Sequence, residues 1–102
     1  IIFKVHRAKL ENRKEVEIWG DGTARREFMY AGDLADCIFR AITKFDQLPE
    51  SMNVGLGFDF SVNEYYQAAA EIMNFNGNFV HDLSKPVGMK QKLLDVSRLK
   101  QW

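Results

Sequence analysis

The chain has 102 residues, 46% hydrophobic and 27% charged, the size and balance of one ordinary globular domain. Fourteen basic residues offset fourteen acidic ones, so no global field draws it to nucleic acid or to an anionic membrane, and any anion site has to be local. No apolar run approaches the roughly 20 residues of a membrane span, "IIFKV" is too short for a secretory signal, and the single cysteine, Cys37, excludes an internal disulfide and fits a cytoplasmic setting.

Residues Ile1 to about Asn12 read as the end of an amphipathic helix, with Ile1, Val5 and Ala8 on one stripe and Lys4, Arg7 and Glu11 off it. "EVEIW" alternates apolar and charged residues and predicts a strand. "GDGT" predicts a turn in which glycine supplies the positive φ. "REFMYA" reads as a second extended run. Asp33 is expected to open a helix to about Phe45, with Leu34, Ile38, Ala41, Ile42 and Phe45 at helical spacing and Pro49 beyond its end.

"MNVGLG" reads as a short strand entering a glycine-rich turn. In "SVNE", Ser61 and Glu64 have the spacing of a capping box, and Phe60 and Tyr65 that of a hydrophobic staple. The helix they open runs to about Asn74, with Val62, Tyr65, Tyr66, Ala69, Ile72 and Met73 expected to face inward. "NFVHD" reads as a strand, "SKPVGM" as a loop, "KLLDV" as a strand or extended run, and "SRLKQW" as the start of a helix. Strands alternating with helices predict an α/β fold. Both ends read as cuts through a longer protein, and much of the apolar surface is expected to face elements outside this stretch.

No complete catalytic set is visible. "GLGFDF" lacks the third glycine of a dinucleotide fingerprint. His6 and His81 lack metal-ligand spacing with each other or with Cys37. Tyr30, Tyr65 and Tyr66 are followed four residues on by Leu34, Ala69 and Ala70, so no Tyr-x-x-x-Lys pair exists. Cys37, beside an apolar stripe, reads as a buried structural thiol. The parts suited to binding are Trp19, a flat aromatic at a strand end beside the turn, and Arg25 and Arg26, which an extended backbone directs to opposite sides. One of these arginines can present its planar fork to phosphate. For Lys4, Lys90 and Lys92 the default is a solvated ammonium.

"VEIWGDGTARREFMYAGDLADCI", "MNVGLG" and "SKPVGMKQKLLDVSRLKQW" resemble, in order, the C-terminal part of the extended short-chain dehydrogenases/reductases of the NAD(P)-binding Rossmann superfamily. The nearest pattern is that of the NADPH-dependent 3,5-epimerase-4-reductases of GDP-4-keto-6-deoxymannose. The resemblance covers nearly the whole chain. It implies that residues 1–102 are a single fragment, a small mixed α/β region that binds the nucleotide-sugar substrate. The NADPH-binding portion and the Ser/Tyr/Lys, Cys and His catalytic residues would lie elsewhere, in a homodimeric parent. Cys37 does not match that catalytic cysteine. Lys4, Trp19, Arg26 and Lys92 match the family's substrate-binding positions, which implies that Trp19 and Arg26 reach one nucleotide diphosphate. Two positions depart from the pattern: Val87 stands where an acid often follows "SKP", and Gln91 where a basic residue precedes the lysine. Other nucleotide-sugar readings stay open: another GDP-keto-sugar, or a UDP- or dTDP-sugar epimerase or dehydratase. So does a freestanding binding module.

Overall fold

Strict alternation along "EVEIW" sets the first layer of the fold. In the computed structural model, which describes Ile1–Trp102, strand β1 (Glu15–Trp19) buries Val16 and Ile18 and turns Glu15, Glu17 and Trp19 to solvent. The remaining elements are α1 (Ile2–Leu10), β2 (Arg25–Arg26), α2 (Ala31–Thr43), a 3₁₀ turn (Phe45–Gln47), β3 (Phe60–Ser61), α3 (Val62–Met73), β4 (Asn78–Asp82), β5 (Gln91–Lys92) and α4 (Ser97–Gln101). They gather in two compact units: residues 1–25 with 60–91, and residues 26–59 with 92–102.

In the first unit β1 and β4 pair in parallel, from Glu15 opposite Asn78 to Trp19 opposite Asp82. Backbone bonds from Asn78 N–H to Lys14 (2.8 Å) and from Gly20 N–H to Asp82 (2.9 Å) extend the ladder at both ends. Helices α1 and α3 pack together, and the core they share with β1 is Val5, Ala8, Val16, Ile18, Tyr66, Ala69 and Phe75. Val5 and Ile18 are fully enclosed, and such burial stabilises by about 1.5–3 kcal/mol per side chain. The α3 terminus is built as its sequence predicts. Ser61 Oγ accepts from Glu64 N–H (3.2 Å), and Glu64 Oε2 accepts from Ser61 N–H (2.6 Å). Phe60 meets Tyr65 edge-on at 5.7 Å. Asn74 ends the helix in the left-handed conformation, and Lys9 Nζ donates to the Met73 carbonyl (2.6 Å), one of the carbonyls the helix leaves unpaired. Ile72, expected inward, is exposed. Val62, Tyr66, Ala69 and Met73 define the inward stripe, and at about 100° per residue Ile72 falls about a quarter-turn from its centre.

The second unit departs from the sequence reading in a consistent way. Only Arg26 of "REFMYA", expected as an extended run, lies in a strand; "KLLDV", expected as a strand or extended run, contributes only Lys92, and "MNVGLG", expected as a short strand, contributes none. Glu27 takes backbone donors from the last two of these segments. Its Oε1 accepts from the N–H groups of Leu56 and Gly57 (2.8 Å to Gly57), and its Oε2 accepts from Leu94 N–H (3.1 Å). One carboxylate thus takes donors from "MNVGLG", expected as a short strand, and from "KLLDV", expected as a strand or extended run. Helix α2 begins at Ala31, two residues before Asp33, because the Tyr30 carbonyl accepts from Leu34 N–H (3.2 Å). Asp33 sits in the first turn, where a negative charge favours the positive end of the helix. No residue of α2 is buried, and of the apolar residues at helical spacing Leu34, Ile38, Ile42 and, just beyond, Phe45 are all exposed. Arg98 Nη1 ties α4 to the Ser51 carbonyl and hydroxyl (2.9 Å each), and Asn53 Nδ2 donates to the Asp95 carbonyl (3.0 Å). No helix is long and apolar enough to cross a membrane.

Candidate functional site

Trp19 is the last residue of β1, and the alternation that encloses Ile18 leaves its indole 59% exposed. The ring is nonetheless held. Its Nε1–H donates to Glu17 Oε1 at 2.7 Å. From α1, Lys4 Nζ donates to the Glu17 carbonyl (3.1 Å) and lies over the indole at 5.0 Å from the ring centroid. The Lys4 ammonium is therefore docked, against the default of a solvated charge. A cation at that distance is attracted to the ring face.

A second ammonium approaches the same ring. Lys85 Nζ lies 5.8 Å from the Trp19 centroid. The turn that carries it is built by Asp82, whose Oδ1 accepts from Ser84 N–H (3.0 Å) and Ser84 Oγ (2.6 Å) and whose carbonyl accepts from Lys85 N–H (3.2 Å). The Ser84 hydrogen bonds, hydroxyl first, hold the Asp82 carboxyl below the usual carboxylate range. Lys85 was not among the residues singled out from sequence. Its signal was the "SKP" run, and only the fold of the 84–89 loop places that lysine beside Trp19.

The turn after Trp19 needs its glycines. Gly20 and Gly22 have φ of 71° and 69°, in the region that strains other residues. A side chain at Gly20 would meet Val87 Cγ2 at 3.1 Å, and one at Gly22 would collide with the Asn63 amide. Asn63 staples the turn: its Nδ2 donates to the Asp21 carbonyl (3.0 Å) and its Oδ1 pairs with His81 Nε2 (2.8 Å). His81 thus has a structural partner, and no group of three His, Cys, Asp or Glu side chains is arranged to hold a metal. The turn does not fold β1 and β2 into a hairpin, since β1 pairs with β4 whereas β2 lies between β3 and β5.

Of the four residues picked from sequence, Lys4 and Trp19 are brought together in the first unit, while Arg26 and Lys92 belong to the second. Arg26 is half-buried and Lys92 exposed. Arg25 Nη1 stands 3.7 Å from Glu64 Oε2, beside the α3 cap. In the second unit Glu27, next to Arg26 in the chain, anchors Leu94, two residues after Lys92. These hydrogen bonds, that from Gly57 foremost, push the Glu27 carboxyl below its ordinary pKa. Cys37 is half-buried rather than enclosed and lines an open cleft of about 380 Å³ with Asp33, Asp36, Arg40 and Trp102.

The NAD dependent epimerase/dehydratase profile matches residues 1–55, more than half of the chain. The chain belongs to this family. It is 52% identical over 102 residues to a GDP-L-colitose synthase of Yersinia pseudotuberculosis, covering 100% of this chain and 33% of that protein. It is 50% identical over 99 residues to a GDP-L-fucose synthase of Azorhizobium caulinodans, covering 97% of this chain and 32% of that one. Among solved structures, a GDP-mannoheptose C4 reductase of Campylobacter jejuni with NADP bound superposes with a TM-score of 0.80 at 31% identity, over 98% of this chain and 36% of that one. The chain thus spans about a third of the length of the relatives it matches, and its fold is that of a mixed α/β portion of an extended short-chain dehydrogenase/reductase.

Proposed function

We propose that residues 1–102 form one nucleotide-sugar-binding region, the C-terminal portion of an NADP-dependent epimerase/reductase acting on a GDP-4-keto-deoxysugar. The observation that carries this reading is the exposed Trp19 indole with the Lys4 ammonium docked over it beside a glycine turn. A flat face with a cation alongside suits a ligand that joins a ring to phosphate. Arg26 and Lys92 supply further positive charge, with Arg26 offering a planar fork to the diphosphate. The 52% and 50% identities to proteins named as GDP-sugar synthases support the guanine nucleotide over other bases.

The nicotinamide cofactor is proposed to bind outside this chain. Its glycine-rich "GLG" segment lacks the third glycine, and the N–H groups of Leu56 and Gly57 that could face a pyrophosphate are taken by the Glu27 carboxylate. NADPH is therefore assigned to residues outside 1–102, together with the acid, base and epimerising groups, and the 102 residues alone are inactive. The whole enzyme is proposed to be a cytoplasmic homodimer with no nucleic-acid or membrane partner.

The test is a binding competition on the protein that carries this chain, with GDP, UDP and dTDP displacing a GDP-sugar. GDP should win by at least tenfold. Preference for UDP or dTDP would move the protein to an epimerase or dehydratase of those sugars. Absence of binding to all three would end the nucleotide-sugar reading.

A further inference from the structure

Glu27 ties together backbone that is far apart in sequence. It is a half-buried carboxylate whose oxygens face three backbone donors, at Leu56, Gly57 and Leu94. Those donors come from two segments separated in sequence by 36 residues or more. The site is built to admit the carboxylate: a side chain added at Gly55 would stand 2.5 Å from Glu27 Oε1 and 3.1 Å from its carboxyl carbon. The side chain follows Arg26 directly, and its Leu94 partner lies two residues beyond Lys92. All of these residues lie within the second unit.

We infer that Glu27 is a positioning residue: its carboxylate fixes the backbone on which Arg26 and Lys92 are mounted and thereby sets both cations for the diphosphate. This rests on the nucleotide-sugar reading above. The chemistry demands an ionised carboxylate. An ionised Glu is acceptor-only and can serve all three N–H groups at once. Glutamine retains one oxygen and turns a donor toward one of them, so a backbone N–H loses its partner and the segment carrying it is released. Charge-assisted hydrogen bonds to backbone donors are also the stronger class, which is why one side chain can replace the strand ladders that "MNVGLG" and "KLLDV" do not form.

The experiment uses the full-length protein carrying this chain, with GDP and guanosine as probes. Glu27→Gln should weaken GDP binding by about 10- to 100-fold, the equivalent of one lost charge-assisted hydrogen bond. It should leave guanosine binding within twofold, and in turnover it should raise KM for the nucleotide sugar more than it lowers kcat. Gly55→Ala, which displaces the same carboxylate without removing it, should give the same pattern, and so covers the case in which Glu27→Gln does not fold. Placed on an Arg26→Ala, Lys92→Ala background, Glu27→Gln should add less than twofold, because its effect runs through those cations. Loss of GDP binding in Arg26→Ala and Lys92→Ala, with Glu27→Gln and Gly55→Ala silent, overturns the positioning role alone. Equal loss of guanosine and GDP binding overturns it as well, since that marks general damage to the fold. Silence of Arg26→Ala and Lys92→Ala while GDP still binds overturns the placing of the diphosphate on those cations and the positioning role with it, whereas absence of GDP binding to the unaltered protein ends the nucleotide-sugar reading on which both rest.

Discussion

The Lys4 ammonium stands 5.0 Å from the centroid of the Trp19 ring and donates to the carbonyl of Glu17, the residue whose carboxylate holds the indole N–H. Lysine, tryptophan and glutamate are thus interlocked, and the ring is fixed before any ligand arrives. Base–aromatic stacking contributes about 1–3 kcal/mol, so Trp19→Leu should weaken GDP binding by roughly 5- to 150-fold. Lys4→Met keeps the stem and removes the charge. It should cost less, about 0.5–1 kcal/mol from the cation–ring contact plus whatever it contributes to phosphate. Titration calorimetry of the two variants checks the order, and a larger effect for Lys4→Met reverses the assignment of the ring as the main contact.

Arg26 and Arg25 are expected to differ. A charge-assisted hydrogen bond contributes about 1.5–3 kcal/mol, and Arg can make two to a phosphate. Arg26→Ala should therefore raise Kd for the nucleotide sugar about ten- to a few-hundred-fold. Arg26→Lys should recover part of that loss, because it keeps the charge and loses the fork. Arg25 faces Glu64 at 3.7 Å with both side chains partly exposed, a pairing that contributes about 0–1 kcal/mol. Arg25→Ala should lower Tm by a few degrees at most and leave binding within about twofold. A binding defect confined to Arg25→Ala places the phosphate on the other side of β2.

Acid should destabilise the chain through a specific set of carboxyls. Asp21, Glu27, Asp82 and Asp95 are all held below the ordinary carboxylate range, each by hydrogen bonds that need the ionised form: Thr23 for Asp21, Gly57 for Glu27, Ser84 for Asp82 and Ser97 for Asp95. A folded-state pKa below the unfolded value makes these groups stabilising above the unfolded pKa. That contribution fades as pH falls through the folded pKa. Tm should therefore be level from pH 7 to about 5 and fall below about pH 4. Glu27→Gln should flatten part of that fall, and an unchanged acid limb would remove Glu27 from the set.

Helix α2 buries none of its residues and exposes Ile38, Phe39 and Ile42 by 52%, 67% and 69%. Contiguous apolar patches beyond a few hundred Å² favour association. The isolated 102-residue chain should elute above its monomer size at tens of micromolar and bind an apolar dye. Ile38→Glu with Ile42→Lys should suppress both. A monodisperse, thermally robust monomer contradicts this expectation.

Local physics made parts of this protein readable from its residues. The capping box at Ser61 and Glu64, the staple of Phe60 on Tyr65, the alternation of β1 and the positive φ of Gly20 and Gly22 each depend on residues within a few positions of one another. Likeness of pattern then located the family, and with it Lys4, Trp19, Arg26 and Lys92 as the residues to follow. Periodicity could not decide whether Ile42 or Ile72 is covered, because covering depends on what packs alongside. Composition could not reveal that Glu27 would take the N–H groups of Leu56, Gly57 and Leu94 from two distant segments. Nor could it bring Lys85 to the Trp19 ring, across 66 positions of sequence. Hydrogen bonds and ring contacts between distant segments exist only once the chain has folded. Tertiary structure therefore decided which side chains surround Trp19 and which carboxylate holds the backbone around Arg26.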